Sequence, residues 1–354
     1  MNEDFRNAPL ELINIKRSQM LGPGKALVEP KVVALVGVSD NPKKLSARPF
    51  QFCQQHGFSG KIYIVNPRRK TVIGEPAYPT VMAIPDKVDH AYILLGNSMV
   101  EAALDDCILA GVKVVTILAD GFAEAGKLGF EKQKRLVKKA NKAGIMMIGP
   151  NSMGVVNTRK SFVCTTNAAF KTQNLIKGRF AVLSHSGSLI GTLVSRGEVR
   201  NIGFSKLVSL GNEAQSCIGT VGLSLIDDTE IDGFILFLET LRNPKRFSKF
   251  ASEANKRNKP VVAYMLGKSE EGQELSVSHT GALTGDSRAV KAYLKQNYVD
   301  EVMSLDALFE APQLLLQRER MKGRPKHVIV VTTTGGGGAM LVDQLSVRGV
   351  LIGE

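Results

Sequence analysis

The 354-residue sequence contains no tryptophan, and aromatic residues make up only 6% of it. Proteins that hold single-stranded nucleic acid stack its bases on aromatic rings set beside arginines. No such cluster is present, so nucleic acid is not an expected partner. No apolar run approaches the ~20 residues of a membrane-spanning helix, and no membrane partner is expected either. Met1–Asn7 is polar and mildly acidic with no apolar stretch behind it, a poor fit to a secretory signal. The four cysteines (Cys53, Cys107, Cys164 and Cys217) are far apart and form no CxxC pair. Scattered in this way they read as reduced, half-buried thiols of a cytoplasmic protein, and no metal is expected.

Acidic residues are in the minority, 33 against 46 Lys and Arg, which leaves a formal charge of +13. That excess calls for an anionic partner: a nucleotide, a phosphorylated cofactor or, less compatible with the missing aromatics, nucleic acid. Part of it lies along one predicted helix (Lys132, Lys134, Arg135, Lys138, Lys139, Lys142) and reads as a solvated face.

Hydrophobic residues make up 44% of the chain, enough for ordinary cores, and the length suggests two or three domains. The first 30 residues read as a loosely ordered extension. From Lys31, short β-branched runs (Val32–Gly37, Lys61–Val65, Ala91–Leu95, Lys113–Leu118, Ile145–Ile148) alternate with amphipathic stretches such as Met99–Ala110 and Lys127–Ala143. Apolar strands separated by helices predict a parallel sheet covered on both faces, in a domain spanning 31–157. After the polar stretch Asn157–Gly178 a second series begins, with strands at Phe180–Leu183, Lys206–Leu210, Gly233–Leu238 and Pro260–Leu266, and helices between and after them. This is a second α/β domain, 158–320. Beyond the basic linker Arg318–Lys326, the pattern predicts a strand over His327–Thr332, a glycine turn and a helix over Ala339–Val347. Residues 321–354 thus read as the start of a third α/β domain, cut short.

Ligands of open α/β sheets bind beyond the carboxyl ends of the strands. The first such end reads Gly37-Val38-Ser39-Asp40-Asn41-Pro42-Lys43-Lys44, without the GxGxxG of a dinucleotide fold. The second closes with Asn66-Pro67-Arg68-Arg69 where that fold would place an acidic residue. A basic strand end suits an adenosine with an extra ribose phosphate, meaning NADP or CoA. The single glycine in the first turn makes the close pyrophosphate approach of NADP hard to achieve.

In the second domain, His279 sits in the small-residue loop Ser278-His279-Thr280-Gly281-Ala282-Leu283-Thr284-Gly285. Ser184-His185-Ser186-Gly187-Ser188 follows a strand and opens a helix, a ready anion site of free N–H groups and hydroxyls. Thr334-Gly335-Gly336-Gly337-Gly338 has the same design. Two helix starts converging on one histidine would supply positive potential for a transferred phosphoryl group without a metal at the imidazole. His185 is a rival carrier. A serine hydrolase centred on Ser186 lacks the first glycine of the nucleophile elbow, because Ser184 stands there.

The run VALVGVSDNPKK…GFSGKIYIVNPR, with ILADGF and IGPNSMGVVN after it, resembles the CoA-binding domain of the NDP-forming (ADP-forming) acyl-CoA synthetases and of the succinyl-CoA synthetase α subunit. The resemblance covers nearly the whole chain from Lys31, with its motifs in the family's order. It implies a Rossmann-like CoA-binding domain, a flavodoxin-like (succinyl-CoA synthetase-like) domain and the start of a ligase-CoA domain. By this likeness Gly37, Ser39 and Lys44 face the CoA phosphates, and Asn66 and Pro67 the adenosine end. Asn97, Asp120, Gly121 and Asn151 would line the pantetheine path. SHTGAL stands for the phosphohistidine loop, so His279 would carry the phosphate and Glu239 would orient its imidazole. Ser186, Gly187 and Ser188, with Gly336 and Gly337, would be the helix starts that hold the phosphate. Relatives carry Gln or Arg where His185 stands, which puts it beside the phosphate instead of under it.

The implied reaction joins a small carboxylic acid to CoA at the expense of ATP, releasing ADP and phosphate. ATP and Mg2+ would be handled by an ATP-grasp domain or subunit, and the assembly would be an oligomer. One departure stands out. Gly211-Asn212-Glu213-Ala214 matches a family loop, but Gln215-Ser216-Cys217 lacks the aspartate expected next. A CoA-sensing regulatory module is the alternative function, against which His279 and Glu239 both count.

Overall fold

The structure, a computed structural model, describes residues 17–267, 269, 287–316 and 327–353. Helix α1 (Arg17–Val28) leads into β1 (Val32–Val36). Then follow α2 (Arg48–Gln55), β2 (Lys61–Val65), β3 (Thr71–Val72), β4 (Glu75–Tyr78), β5 (His90–Ile93), α3 (Asn97–Leu109), β6 (Val114–Ile117), α4 (Lys127–Ala143) and β7 (Met146–Ile148). These strands form a seven-stranded sheet in the order β3-β4-β2-β1-β5-β6-β7, parallel except for the β3–β4 pair. Every residue of β5 and β6 is buried, which accounts for their mostly apolar sequences. Helix α4 turns Leu136 and Ala140 inward and its lysines outward. It ends at Gly144, whose left-handed backbone (φ 68°) lets its N–H cap Ala140 O and Asn141 O.

The second sheet comprises β8 (Gly154–Asn157), β9 (Phe162–Thr165), β10 (Lys177–Ser184), β11 (Phe204–Ser209), β12 (Gly233–Leu238), β13 (Val261–Met265) and β14 (Val299–Val302), in the order β14-β13-β12-β10-β11-β8-β9. Its helices are α5 (Gly187–Val199), α6 (Ile218–Ser224), α7 (Pro244–Lys256), α8 (Ser287–Gln296) and α9 (Leu305–Leu315). β8 runs antiparallel to β11 and to β9. The supposedly polar stretch after Asn157 therefore contains a fully buried edge strand, and Gly154–Asn157 pairs in the second sheet.

In each sheet the chain reverses its direction of winding beside the first parallel strand. The first sheet adds β2 on one side of β1 and β5 on the other; the second adds β11 and β12 around β10. Such reversals open a crevice at the carboxyl ends. The two sheets share one continuous core, in which Leu35, Phe50 and Tyr92 of the first are linked with Phe162, Leu183, Leu210 and Phe234 of the second. Helix α1 joins it through Ala26, Leu27 and Val28, so this part of the expected loose extension is a packed helix. Its carboxyl end is tied by the Asn157 side chain, whose Nδ2 donates to Val28 O at 3.0 Å.

Residues 327–353 belong to a separate unit. β15 (His327–Val328) pairs in parallel with β16 (Leu351–Ile352), and α10 (Gly335–Ser346) connects them. The expected strand His327–Thr332 is reduced to two residues, and the helix starts at Gly335 instead of Ala339. The glycines form its first turn, where Thr334 as N-cap residue supplies the extended backbone and Thr334 O accepts the Gly338 N–H at 3.0 Å.

Candidate functional site

The carboxyl ends of the first sheet bring Gly37, Asn66, Asn97, Gly121 and Asn151 into one row. Gly37 turns the chain with φ 95°, and a Cβ there would lie 2.5 Å from Leu95 Cδ2. Ser39 Oγ accepts Asn41 N–H at 3.2 Å and Asn41 Oδ1 accepts Lys43 N–H at 2.9 Å, so the loop is shaped by its own side chains. Asp40 binds Arg69 at 2.7 Å and the Ile73 N–H at 2.8 Å. Arg69 is thereby engaged, whereas Lys43, Lys44, Arg68 and Lys70 are exposed and form no ion pair with a described residue. Asn66 Oδ1 accepts Arg68 N–H at 3.0 Å, and Pro67 is exposed.

Asn97 spends its amide on the protein: Nδ2 donates to Asp120 O at 3.0 Å and Gly121 O at 2.9 Å, and Oδ1 accepts from Lys132 at 2.7 Å. It braces the loop after β6 more than it faces the crevice. Lys132, read as part of a solvated face, is thus a member of this loop network. Asp120 is exposed, and Asn151 adopts φ 61° with its N–H bonded to Ala119 O at 2.8 Å.

At the crevice of the second sheet, α5 starts at Gly187 with Ser186 as its cap, the Ser186 Oγ accepting Leu189 N–H at 3.3 Å and lying 3.1 Å from Ser188 Oγ. Asn167 braces this start through Nδ2, which donates to Gly187 O at 2.8 Å. Met153 fills the space beside Gly187, where any Cβ would collide with it. The His185 ring is buried. Its Nδ1 accepts Glu239 N–H at 2.9 Å, which in the neutral ring places the proton on Nε2. Nε2 lies 3.1 Å from Glu213 Oε2, close but poorly aligned for a hydrogen bond. Both nitrogens are turned to protein groups, an unfavourable arrangement for a phosphate carrier.

Asn151 meets His185, Gly211, Asn212, Glu239, Thr240 and Arg242 around one small cavity of about 20 Å3. Burial lowers the pKa of Arg242, and the neighbouring Glu213, Glu239 and Glu124 oppose that shift. One guanidinium therefore neutralises part of the charge of three carboxylates from separate loops. Gly211 (φ 57°) allows the loop after β11 to press against Pro150 O and Asn151 O. Asn212 N–H donates to Pro150 O at 2.9 Å, and its side chain donates to Glu124. Gln215, in the stretch that lacks the expected aspartate, is buried: Oε1 accepts Met147 N–H at 2.8 Å and Nε2 donates to Ile145 O at 2.7 Å.

Of the residues singled out in the sequence, Asn151 and Glu239 share this cavity, while Gly37, Ser39, Lys44, Asn66 and Pro67 lie at the first crevice. His279 lies outside the described residues, and Gly336 and Gly337 belong to the separate unit. Glu124 and Arg242 were not singled out. Asn212 and Glu213 were visible only as part of a loop motif.

Residues 31–158 match the CoA binding domain family, and residues 177–315 match the succinyl-CoA ligase like flavodoxin domain. The chain is 32% identical to the alpha subunit of ADP-forming acetate–CoA ligase I of Pyrococcus furiosus, over 92% of this chain and 70% of that one. The chain belongs to the ADP-forming acyl-CoA ligase family, as its α-type portion. It is 37% identical to the alpha subunit of isoenzyme II from the same organism (80% of this chain, 62% of that one). It is 35% identical to ADP-forming acetate–CoA ligase I of Archaeoglobus fulgidus (82% and 42%). The chain thus spans 42% and 62% of the length of these two ligases. In three dimensions it resembles acetyl-coenzyme A synthetase 1 of Ca. Korarchaeum cryptofilum in complex with phosphate and ADP, with a TM-score of 0.84 and 29% identity over 93% of this chain and 70% of that one.

Proposed function

We propose that this chain is the part of an ADP-forming acyl-CoA ligase that binds CoA and carries phosphate, in the reaction acid + CoA + ATP ⇌ acyl-CoA + ADP + phosphate. The observation that carries this reading is the cavity shared by Asn151, at the end of the first crevice, and Glu239, at the second. A thiol led along the first row of strand ends arrives beside the carboxylate assigned to orient the carrier, His279. The Gly37 turn, with Lys43, Lys44 and Arg68, which form no ion pair with a described residue, fits a phosphorylated adenosine, in line with the CoA-binding family match. Ser186, Gly187 and Ser188 present a helix start to the phosphoryl group, and Gly336 and Gly337 are proposed as the second such start. Positioning and electrostatic stabilisation then supply most of the rate.

ATP/ADP and Mg2+ are assigned to an ATP-grasp partner, which the naming of both Pyrococcus furiosus relatives as alpha subunits supports. The acid is a small carboxylic acid, and the named ligases act on acetate. Among the described residues no helix is long and apolar enough to cross a membrane, and a cytoplasmic, oligomeric enzyme is proposed.

Incubation with the ATP-grasp partner, Mg2+ and labelled ATP is expected to leave about one acid-labile, alkali-stable phosphate per chain. His279→Asn abolishes the label and His185→Asn retains it; label that survives His279→Asn refutes the assignment. Independently, Lys44→Ala weakens CoA binding about tenfold, the size of one charge-assisted phosphate contact. Equal affinities of wild type and variant for both CoA and 3′-dephospho-CoA would rule out the basic strand ends as phosphate readers.

A further inference from the structure

Glu124 follows β6 on the same loop as Asp120 and Gly121, and its two carboxylate oxygens serve different parts of the molecule. Oε1 accepts Gly121 N–H at 2.7 Å and Phe122 N–H at 3.1 Å, shaping the loop of the first crevice. Oε2 accepts from the side chain of Asn212, in the second-sheet loop after β11. The contacts continue through the next residue. Glu213, 2% exposed and held at φ 49°, faces His185 Nε2 at 3.1 Å, and His185 Nδ1 accepts the Glu239 N–H at 2.9 Å.

We propose that Glu124 is a positioning residue that couples occupancy of the first crevice to the setting of Glu239, through Asn212, Glu213 and His185. The proposal rests on reading that crevice as the CoA site. Three physical features support it. The links are mostly directional hydrogen bonds in a buried, low-dielectric setting, where loss of one partner is costly. Asn212, Glu213, His185 and Glu239 are all less than a tenth exposed, so water does not readily replace a lost link. Arg242 interacts with Glu213, Glu239 and Glu124 together, so a movement of Glu124 also alters the field at the other two carboxylates. A ligand that presses on the Asp120–Gly121 loop thus has a mechanical and an electrostatic route to Glu239.

Hydrogen exchange of the whole chain with and without CoA tests the coupling, because the Glu239 amide is itself the donor to His185. In the wild type CoA is expected to slow exchange at Glu239 by about fivefold or more, the lower end of ordinary coupling between sites. Asn212→Asp sets a carboxylate against Glu124 and Asn212→Ala removes the donor. At saturating CoA the slowing at Glu239 is expected to disappear in each, whatever the change in affinity. Adding Glu124→Gln to Asn212→Asp exchanges donor and acceptor, and recovers the effect. Equal slowing in the wild type and both single variants overturns the proposal, as does failure of the double variant to recover it. CoA binding without any change at Glu239 in the wild type overturns the coupling alone, whereas failure of the wild type to bind CoA overturns the CoA reading beneath it.

Discussion

His90 and Lys206 each place a polar group where the surroundings dictate its chemistry. His90, at the start of β5, is 1% exposed, with Nε2 2.8 Å from Thr116 Oγ1 and its ring 5.9 Å from that of Phe162. Burial outweighs the opposing Leu27 carbonyl and lowers its pKa to about 4. The unfolded chain therefore binds a proton near pH 6.5 that the native state refuses until about pH 4, so stability falls as pH drops through that window. The loss amounts to about 3 kcal/mol. Urea titrations at pH 7.5 and 4.5 are expected to show this drop in the wild type and a smaller one in His90→Phe; identical drops would remove His90 as the cause. Lys206 on β11 is fully buried, its Nζ 3.2 Å from Asp228 Oδ2 and also bonded to Glu230. Asp228 and Glu230 are part-exposed and Glu230 keeps Arg159 at 3.3 Å, so Lys206→Ala leaves hydrated carboxylates and is expected to cost about 1.5–3 kcal/mol, the worth of its charged hydrogen bonds. A cost below about 1 kcal/mol in the same titration would mean that these bonds contribute no more than exposed ion pairs do.

Among the elements, edge strand β7 shows how a loop can serve as a neighbour. A strand at a sheet edge exposes unpaired N–H and C=O groups. Gln215 occupies those of Met147 and Ile145 with one side-chain amide, and its Nε2 also reaches Asn141 Oδ1 at 3.1 Å. An aspartate at this position would offer no donor, so it could not satisfy both. Gln215→Glu, which turns an oxygen toward Ile145 O, is expected to cost about 2–3 kcal/mol, and Gln215→Leu about 2 kcal/mol. Thermal unfolding that ranks the two variants in the opposite order would place the contribution in packing and not in hydrogen bonding. Gly211→Ala strains the same latch, because φ 57° disfavours a side chain and the new methyl meets Pro150 O.

At the scale of the molecule, the core shared by the two sheets makes residues 17–316 one unit. Unfolding followed by circular dichroism and by tyrosine fluorescence is expected to show one transition for this unit. A fragment limited to 31–157 is expected to bind a hydrophobic dye, because Leu35, Phe50 and Tyr92 would lose Phe162, Leu183 and Phe234; a fragment with native-like packing would show that the cores are separable. The alternating strands and helices, the order of the strand-end motifs and the α/β class were legible in the sequence by itself, because each is carried by residues close together in the chain with a period or a turn signal. Gly37, Asn66 and Ser186 could be named for the same reason: they follow strands, and strand ends are where such sheets bind ligands; Asn151 and Glu239 were named through the family resemblance. Only the tertiary structure decided that β8 and β9 join the second sheet, that α1 is packed, that Lys206 is buried and that Gln215 completes β7. It alone brought Glu124 to Asn212, 88 residues away, and set Arg242 among three carboxylates. These pairings depend on which surfaces meet once the sheets share a core, and a single polar side chain reaching across that junction leaves no period in the sequence.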